Sequence, residues 1–268
     1  MSKIAIISDV HANIDALNLV LESISKENVD QIICLGDLVT KYFYPAEVVD
    51  AIKGSCPIVI RGNCDELVSN DERYTFARTK LGLDRIEYLK NLPFTSSIEV
   101  NNIKMNLYHS SPHSIDKMFN PLFNKNNYTQ YKQKVISDYN EMFDDNNVSI
   151  VGHTHQSYIG LEKFNKLKII KDNLLFTKED RVIINVGSAG EHNHMIVKNN
   201  MAETVVDHYL TYAVLSDLDD KIYVSIKKIK YKELLKKIYL DMVRMQIEGS
   251  APSSPNDTKK LEKSLRIK

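Results

Sequence analysis

Short apolar runs alternate with helical patterns in the first third of the chain. The run KIAIIS (3–8) predicts a buried strand, and apolar residues then recur at helical spacing over 14–24. The runs at 31–35 and 57–60 predict a second and a third strand, with a short helix over 45–52 that Pro45 opens. Strands that alternate with helices predict crossover connections and a largely parallel sheet.

The middle of the chain predicts more strands than helices. Longer helical stretches are expected at about 71–91 and at 128–143. Single strands are expected at 148–151, 167–171 and 182–186. Two hairpins are predicted, one over 96–109 turning at Asn101-Asn102 and one over 212–229 turning at Asp219-Asp220.

The C-terminal residues differ in pattern from the rest. Over 232–248, Leu235, Ile238, Met242 and Met245 form one apolar stripe with charges opposite, which predicts an amphipathic helix. The segment 249–268 is rich in Ser, Pro and Lys and predicts little order. We therefore expect one domain over 1–231 followed by a helix and a basic tail over 232–268. The apolar stripe of this helix also allows a homo-oligomer, formed by contact between copies of the chain.

Composition excludes a disordered or collagen-like chain, because 43% of the 268 residues are hydrophobic. The 35 basic and 35 acidic residues balance, so no strong overall field attracts polyanions. The balance is not local. The segment 221–268 carries a net charge of +8 and the preceding residues −8. This basic segment has two interpretations. It binds nucleic acid, or it is a Lys-rich helix face that is only exposed to solvent.

The cysteines and the hydropathy pattern predict a cytoplasmic protein. Cys34, Cys56 and Cys64 are odd in number and lack the spacing of a disulfide framework. The apolar run at the N-terminus is too short for a signal-peptide core. No run approaches the ~18 apolar residues that span a bilayer, so no membrane contact is expected.

Polar clusters follow six of the predicted strands, at the point where each strand ends. A lone His or Asp in such a place is weak evidence of function. The carboxyl ends of strands in an open α/β sheet form the rim where ligands bind, so six clusters in register predict a site. The clusters are Asp9-Val10-His11, Gly36-Asp37, Arg61-Gly62-Asn63-Cys64-Asp65, His109, Gly152-His153-Thr154-His155 and Asn185-Val186-Gly187-Ser188.

The side chains in these clusters are carboxylates, imidazoles and amides. That donor set suits borderline divalent ions such as Mn²⁺, Fe²⁺ or Zn²⁺. A carboxylate between two ions about 3.5 to 4 Å apart can bridge them, and such a pair can clamp a phosphoryl group and activate water. The structural alternative for Asp37 is a turn or a helix cap.

The order D-x-H, G-D, G-N-x-D, H, G-H-x-H resembles the calcineurin-like metallophosphoesterase superfamily. The segments RGNCD, HSSP, GHTH, NVGSAG and YAVL are similar to the small bacterial and archaeal phosphodiesterases of that group. The resemblance covers Ile4 to about Leu215. It implies an α/β fold, a four-layer αββα sandwich of two mixed sheets flanked by helices.

The resemblance also implies roles for individual residues. A water or hydroxide between the two ions would attack phosphorus. Mn²⁺ is favoured, with Fe, Zn and Ni as alternatives. The implied ligands of the first ion are Asp9, His11 and His155, those of the second are Asn63, His109 and His153, and Asp37 would bridge the two.

Three features depart from the family pattern. Cys64 stands where most members have a His that assists the leaving group, and its alternative role is simple packing. Val186 replaces a common Pro, and the segment 191–211 is longer than usual. His113, four residues after His109, is a candidate proton donor or phosphate contact, with an exposed loop residue as the alternative. The expected catalytic residues are thus Asn63, Cys64 and His113.

The leading hypothesis is two-metal hydrolysis of small or nucleotide phosphodiesters. A phosphomonoesterase is the main alternative, because the same metal pair serves both reactions. A nuclease and a non-catalytic scaffold are less favoured. The presence of all seven implied ligands argues against a scaffold, and the expected partner is a phosphoester substrate.

Overall fold

The computed structural model describes residues 2–117, 119, 139–164, 166–190, 193–198, 201–206 and 209–231. Of 193–198 and 201–206 we use the backbone alone. The predicted helix over 128–143 lies outside these residues except for its last part. The predicted C-terminal helix over 232–248 and the tail over 249–268 lie outside them altogether.

Within the described residues the chain forms helices in its first third and strands throughout. The helices are α1 (Ile14–Ser25), α2 (Pro45–Ser55), α3 (Asn63–Asn70) and α4 (Thr75–Asn91). The strands are β1 (Lys3–Ile7), β2 (Gln31–Cys34), β3 (Ile58–Val59), β4 (Thr95–Val100), β5 (Ile103–Tyr108), β6 (Val148–Val151), β7 (Tyr158–Lys163), β8 (Lys166–Ile170), β9 (Asn173–Phe176), β10 (Arg181–Asn185), β11 (Asn193–Lys198), β12 (Met201–Val206), β13 (Tyr209–Leu218) and β14 (Lys221–Lys230).

Two six-stranded mixed sheets form the centre of the fold. The first has the order β3-β2-β1-β13-β14-β9, and the second has the order β4-β5-β6-β10-β7-β8. In the first sheet β1, β2 and β3 run parallel. In the second, β5, β6 and β10 run parallel. The remaining pairs are antiparallel, which confirms the prediction of two mixed sheets.

Alternating side chains of β1 define the layers. Ile4 and Ile6 face a core shared with Met105 and Ile150 of the second sheet. Ala5 and Ile7 face a separate core formed with α1, α2 and α4. Strand residues that alternate in this way bury both faces of a sheet. The flanking helices therefore lie over the first sheet, and the two sheets pack face to face.

The helix that the sequence predicts at 71–91 corresponds to α4, and the shorter helix α3 precedes it as an additional element. α3 ends at Asn70, the backbone of the next residue, Asp71, is extended, and α4 begins at Thr75. Gly82 inside α4 has a φ of 70° and kinks the helix. The sequence over 63–70 is mostly polar and lacks a long apolar stripe, so its periodicity gave no signal for α3.

Other predicted elements are confirmed, and several strands are additional. Asn101 and Asn102 both have positive φ in the turn between β4 and β5, as the hairpin requires. Strands β7 and β9 were not predicted. The long segment at 191–211 contains the separate two-stranded sheet of β11 and β12. In the described part of the chain, no helix has the length and apolar character needed to cross a membrane.

Candidate metal centre

The centre lies where the parallel strands of both sheets end. Loops after β1, β2 and β3 bring residues from the first sheet, and loops after β5 and β6 bring residues from the second. Asp9, His11, Asp37 and His109 are each no more than 2% exposed. Burial of two carboxylates among imidazoles requires compensating charge or hydrogen bonds.

Asp37 lies between two histidines. Its Oδ2 is 3.7 Å from Nε2 of His11, and its Oδ1 is 3.5 Å from Nε2 of His109. The two oxygens of one carboxylate thus face two different imidazole nitrogens. This is the arrangement that a bridging ligand between two cations needs.

On one side of Asp37, three residues direct ligand atoms toward a common point. Nε2 of His11 lies 3.0 Å from Nε2 of His155. Oδ1 of Asp9 lies 3.3 Å from Nε2 of His155 and 3.9 Å from Nε2 of His11. That oxygen is buried and makes no well-directed hydrogen bond among the described residues. A buried anionic oxygen facing two imidazole nitrogens fits a divalent cation.

On the other side, His109 and Asn63 converge. Nε2 of His109 lies 3.0 Å from Oδ1 of Asn63. The ring of His153 packs against that of His109, with 5.2 Å between ring centroids. Nε2 of His153, however, lies 3.1 Å from the backbone oxygen of Asp116. His153 therefore lies beside the centre, and its role as a ligand stays a prediction.

Charges within the cluster favour anionic carboxylates. Burial alone would raise the pKa of Asp37, but the charge of His109 and its hydrogen bond outweigh burial and hold that pKa well below its usual range. Burial likewise would raise the pKa of Asp9, and His155 lowers it. Both carboxylates are thus available as charged metal ligands.

The histidines differ in their protonation. Burial, with a smaller effect of nearby Lys41, lowers the pKa of His11 to about 3, so this ring is neutral. Burial would also lower the pKa of His109, but the charge of Asp37 raises it to about 10. Nδ1 of His109 lies 2.8 Å from the backbone oxygen of Leu35. Because a carbonyl only accepts, Nδ1 carries a proton and Nε2 faces the centre, as in metal-binding histidines.

The backbone at the centre is unusual. Five of the seven predicted ligands have φ between 52° and 65°, a region that non-glycine residues seldom occupy. Such conformations persist only where the surrounding contacts hold them, and they are frequent at functional sites. The five are Asp9, His11, Asp37, His153 and His155.

Asp65 ties two of the loops together, a role that the sequence did not reveal. Its Oδ2 accepts hydrogen bonds from the backbone N–H of Asp37 at 2.8 Å and of Gly62 at 2.9 Å. Its Oδ1 accepts from the backbone N–H of Leu38 at 2.8 Å. The signal was present, since Asp65 is the third residue of α3 and acidic residues there cap helix N-termini.

Asn185 and Ser188, in the cluster after β10, form hydrogen bonds to loops that carry proposed ligands. Nδ2 of Asn185 donates to the backbone oxygen of Gly152 at 2.8 Å and to Oγ1 of Thr154 at 3.0 Å. Oγ of Ser188 donates to the backbone oxygen of Asp9 at 2.8 Å. These residues thus hold the loops that carry Asp9 and the two histidines after β6.

Close backbone approach explains one glycine of the centre. A Cβ atom on Gly62 would lie 2.2 Å from Oδ1 of Asp37. No side chain fits there without moving the carboxylate. Gly62 therefore allows the loop after β3 to lie directly against Asp37.

The two remaining candidates lie in different surroundings. Sγ of Cys64 is within 4.8 Å of ligand atoms of His11 and Asp37. Burial, and then the charge of Asp37, raise the pKa of the Cys64 thiol, which keeps it protonated. His113 is exposed. Among the described residues, no hydrogen bond joins His113 to the cluster.

The sequence is similar to those of known proteins. Residues 2–222 match the profile of the calcineurin-like phosphoesterase superfamily domain. An uncharacterized protein of Methanocaldococcus jannaschii is 25% identical over 259 residues, which cover 92% of this chain and 94% of that protein.

Two solved structures share the fold. A metallophosphoesterase from Sphaerobacter thermophilus superposes with a TM-score of 0.68 at 22% identity, covering 97% of this chain and 98% of the other. A hypothetical protein from Pyrococcus horikoshii superposes with a TM-score of 0.65 at 19% identity, covering 97% of each chain.

Proposed function

Because the chain belongs to the calcineurin-like phosphoesterase superfamily, we propose that it is a two-metal phosphodiesterase acting on small or nucleotide phosphodiesters. The observation that carries the proposal is the position of Asp37. Its two oxygens face His11 and His109 at 3.7 and 3.5 Å, as a ligand shared by two ions would. A cap or turn residue would not need two imidazoles opposite its two oxygens.

The side chains at the centre match the requirements of two divalent ions. Asp9, His11 and His155 would hold one ion, Asn63, His109 and His153 the other, and Asp37 both. When bound, such ions supply an activated water at neutral pH and neutralise charge on the phosphoryl oxygens. Asp9 and Asp37 contribute two negative charges, which leaves the loaded centre positive and attractive to a phosphoester anion.

The chain's own residues orient the reactants. Asp65 fixes the loops that carry Asp37 and Asn63, so the ligand atoms are held before any metal or substrate binds. Nδ2 of Asn63 donates to Sγ of Cys64 at 3.7 Å, which fixes that thiol beside the centre. A protonated thiol is a weak acid, so Cys64 gives a departing alkoxide little help.

We favour Mn²⁺ as the metal. Four of the seven proposed ligands are imidazoles, and Mg²⁺ strongly prefers oxygen ligands and ordered water. The preference for diesters over monoesters has a different basis. It rests on the similarity of RGNCD and NVGSAG to small phosphodiesterases and on the absence of a His at position 64.

The deciding experiment is an activity screen of chelator-treated protein reloaded with one metal at a time. Bis(4-nitrophenyl) phosphate, 4-nitrophenyl phosphate, and cyclic and linear nucleotides would serve as substrates. We expect no hydrolysis without metal, greater recovery with Mn²⁺ than with Mg²⁺, and faster turnover of the diester. Full activity after chelation would exclude the two-metal assignment. Faster monoester turnover with the same metal would instead assign a phosphomonoesterase.

A further inference from the structure

The outer face of the second sheet contains an open cavity where β4 pairs with β5. In this pair Thr95 lies opposite Tyr108, and Ser97 lies opposite Asn106. The alternate residues of both strands lie in the core between the two sheets, so these four side chains share the face that points away from that core. They line a cavity of about 530 Å³, which is within the size range of small-molecule sites.

Two buried polar groups at this cavity lack a partner. Asn106 is 7% exposed, and its Oδ1 accepts a hydrogen bond from Nδ2 of Asn146 at 2.7 Å. Its own Nδ2 is buried and forms no hydrogen bond among the described residues. Tyr108 is 4% exposed, and no hydrogen bond joins its hydroxyl to another residue in the described part of the chain. Because a buried donor without an acceptor is costly, two of them at one cavity indicate an occupant with acceptor atoms.

The lining of the cavity favours a neutral group with several hydroxyls. Asp144 contributes a carboxylate, and the described residues that line the cavity include no cationic side chain. A phosphate there would face that carboxylate without compensating charge. A hydroxyl both donates and accepts, so it can donate to Asp144 and accept from Tyr108. The half-buried ring of Phe94 adds an apolar surface for the C–H groups of a sugar ring.

We propose that this cavity binds a neutral sugar ring, either free or as part of a larger molecule. The site is separate from the metal centre, although Tyr108 directly precedes His109 in the chain. Tyr108 packs in the cluster with Tyr139 and Val151 on the outer face of the sheet, whereas His109 faces Asn63. Binding in the cavity therefore does not depend on metal-dependent hydrolysis.

Saturation-transfer NMR would test the site directly. The full chain, loaded with diamagnetic Zn²⁺, would be titrated with methyl β-D-ribofuranoside and with methyl β-D-glucopyranoside. We expect saturable binding of at least one of the two glycosides. Inorganic phosphate should not displace it, because the cavity lining offers a phosphate no positive charge among the described residues.

Tyr108→Phe removes the unpartnered hydroxyl and keeps the ring. We expect this variant to weaken glycoside binding about threefold to tenfold, the usual effect of one neutral hydrogen bond. Urea denaturation should show no loss in its free energy of unfolding, because the hydroxyl has no partner to lose among the described residues. Thr95→Val, which removes a hydroxyl from the same face, should also weaken binding. Tyr223→Phe, at an exposed position on β14, is the matched control and should change neither quantity.

Several results would overturn the proposal. They are a wild type that binds neither glycoside, equal affinities in Tyr108→Phe and the wild type, and displacement of the glycoside by phosphate. A fall in the stability of Tyr108→Phe would also overturn it, since the hydroxyl would then serve the fold.

A further measurement identifies the source of the sugar ring. Competitive inhibition of bis(4-nitrophenyl) phosphate hydrolysis by the bound glycoside would assign the ring to the substrate. Saturable binding without inhibition would assign it to a separate small molecule. Both results support the sugar site, and the proposed function is decided separately by the loss of hydrolysis on chelation.

Discussion

The backbone N–H of Cys64 donates to Oδ1 of Asp37 at 2.8 Å, the same oxygen that lies 3.5 Å from Nε2 of His109. Position 64 is therefore tied to the centre through its main chain, whatever side chain it carries. The thiol lies beside His11 and Asp37 because the backbone places it there.

This relationship leads to a prediction about the leaving group. We expect Cys64→Ala to change hydrolysis of aryl and alkyl phosphodiesters by less than about threefold, because the N–H bond to Asp37 survives and a protonated thiol gives little acid help. Steady-state kinetics on bis(4-nitrophenyl) phosphate and on a dinucleotide would measure it. A large loss confined to the dinucleotide would assign the acid or orienting role to the thiol.

His113 is the remaining candidate for proton transfer. We expect His113→Ala to slow alkyl diester cleavage at least tenfold more than aryl cleavage, because an alkoxide needs a proton that an aryl oxide does not. The same pair of substrates measures the ratio. Since His113 is exposed and forms no hydrogen bond to the cluster among the described residues, this variant tests directly whether its loop reaches the departing group. Equal rates in variant and wild type would show that the loop lies away from the departing group.

Asp37→Asn should reduce metal binding at both proposed sites together. An amide removes the negative charge and one of the two oxygens that face His11 and His109. We expect fewer than one Mn²⁺ per chain by elemental analysis, against two in the wild type, with hydrolysis lost. Asp219→Asn is the control, since this residue lies in the β13–β14 turn with positive φ, which Asn tolerates. Retention of both ions in Asp37→Asn would contradict a shared ligand.

Asp65→Asn should destabilise the fold itself. The change replaces one acceptor oxygen with an N–H₂ group that faces backbone N–H donors. We expect a loss of about 2 to 4 kcal/mol in the free energy of unfolding, measured by urea denaturation of the metal-free protein. Asp84→Asn, at an exposed position on α4, should change it by less than about 0.5 kcal/mol. Equal stability of the two variants would show that the loops are held by other contacts.

Removal of residues 250–268 should leave activity and stability nearly unchanged, because this segment has few apolar residues to bury. Removal of 232–248 as well should lower stability, since the apolar stripe of the predicted helix needs a packing partner. Thermal unfolding and hydrolysis of an aryl diester would compare the two deletions. Loss of hydrolysis in the shorter deletion would move the domain boundary from 231 into the tail.

Much of the fold was predictable because its strands and helices have strong periodic patterns. β1, β2 and α1 follow their apolar spacing, and the Asn101-Asn102 turn follows the backbone preference of Asn. β7 was missed because Gly160 and a charged end interrupt its apolar run, and β9 (NLLF) was missed because its residues do not alternate between apolar and polar. The number of sheets came from the family resemblance, since periodicity does not specify which strands pair.

Part of the centre was predictable from the order of the strands. Residues that follow parallel strands meet at one edge, and this rule alone groups Asp9 with Asp37. The contribution of Asp65 depends on hydrogen bonds between distant loops. The bond from His153 to the Asp116 backbone likewise joins segments 37 residues apart, which no local pattern encodes.

The division of the proposed ligands between the two sheets has a mechanical consequence. Asp9, His11, Asp37 and Asn63 follow strands of the first sheet, and the three remaining histidines follow strands of the second. Ions bound there would link the first sheet to the second. Bound metal at a concentration 100 times its dissociation constant would then raise the free energy of unfolding by about 2.7 kcal/mol. Resistance to heat and to proteases would rise with it. Metal starvation would thus shorten the lifetime of the protein as well as stop its chemistry.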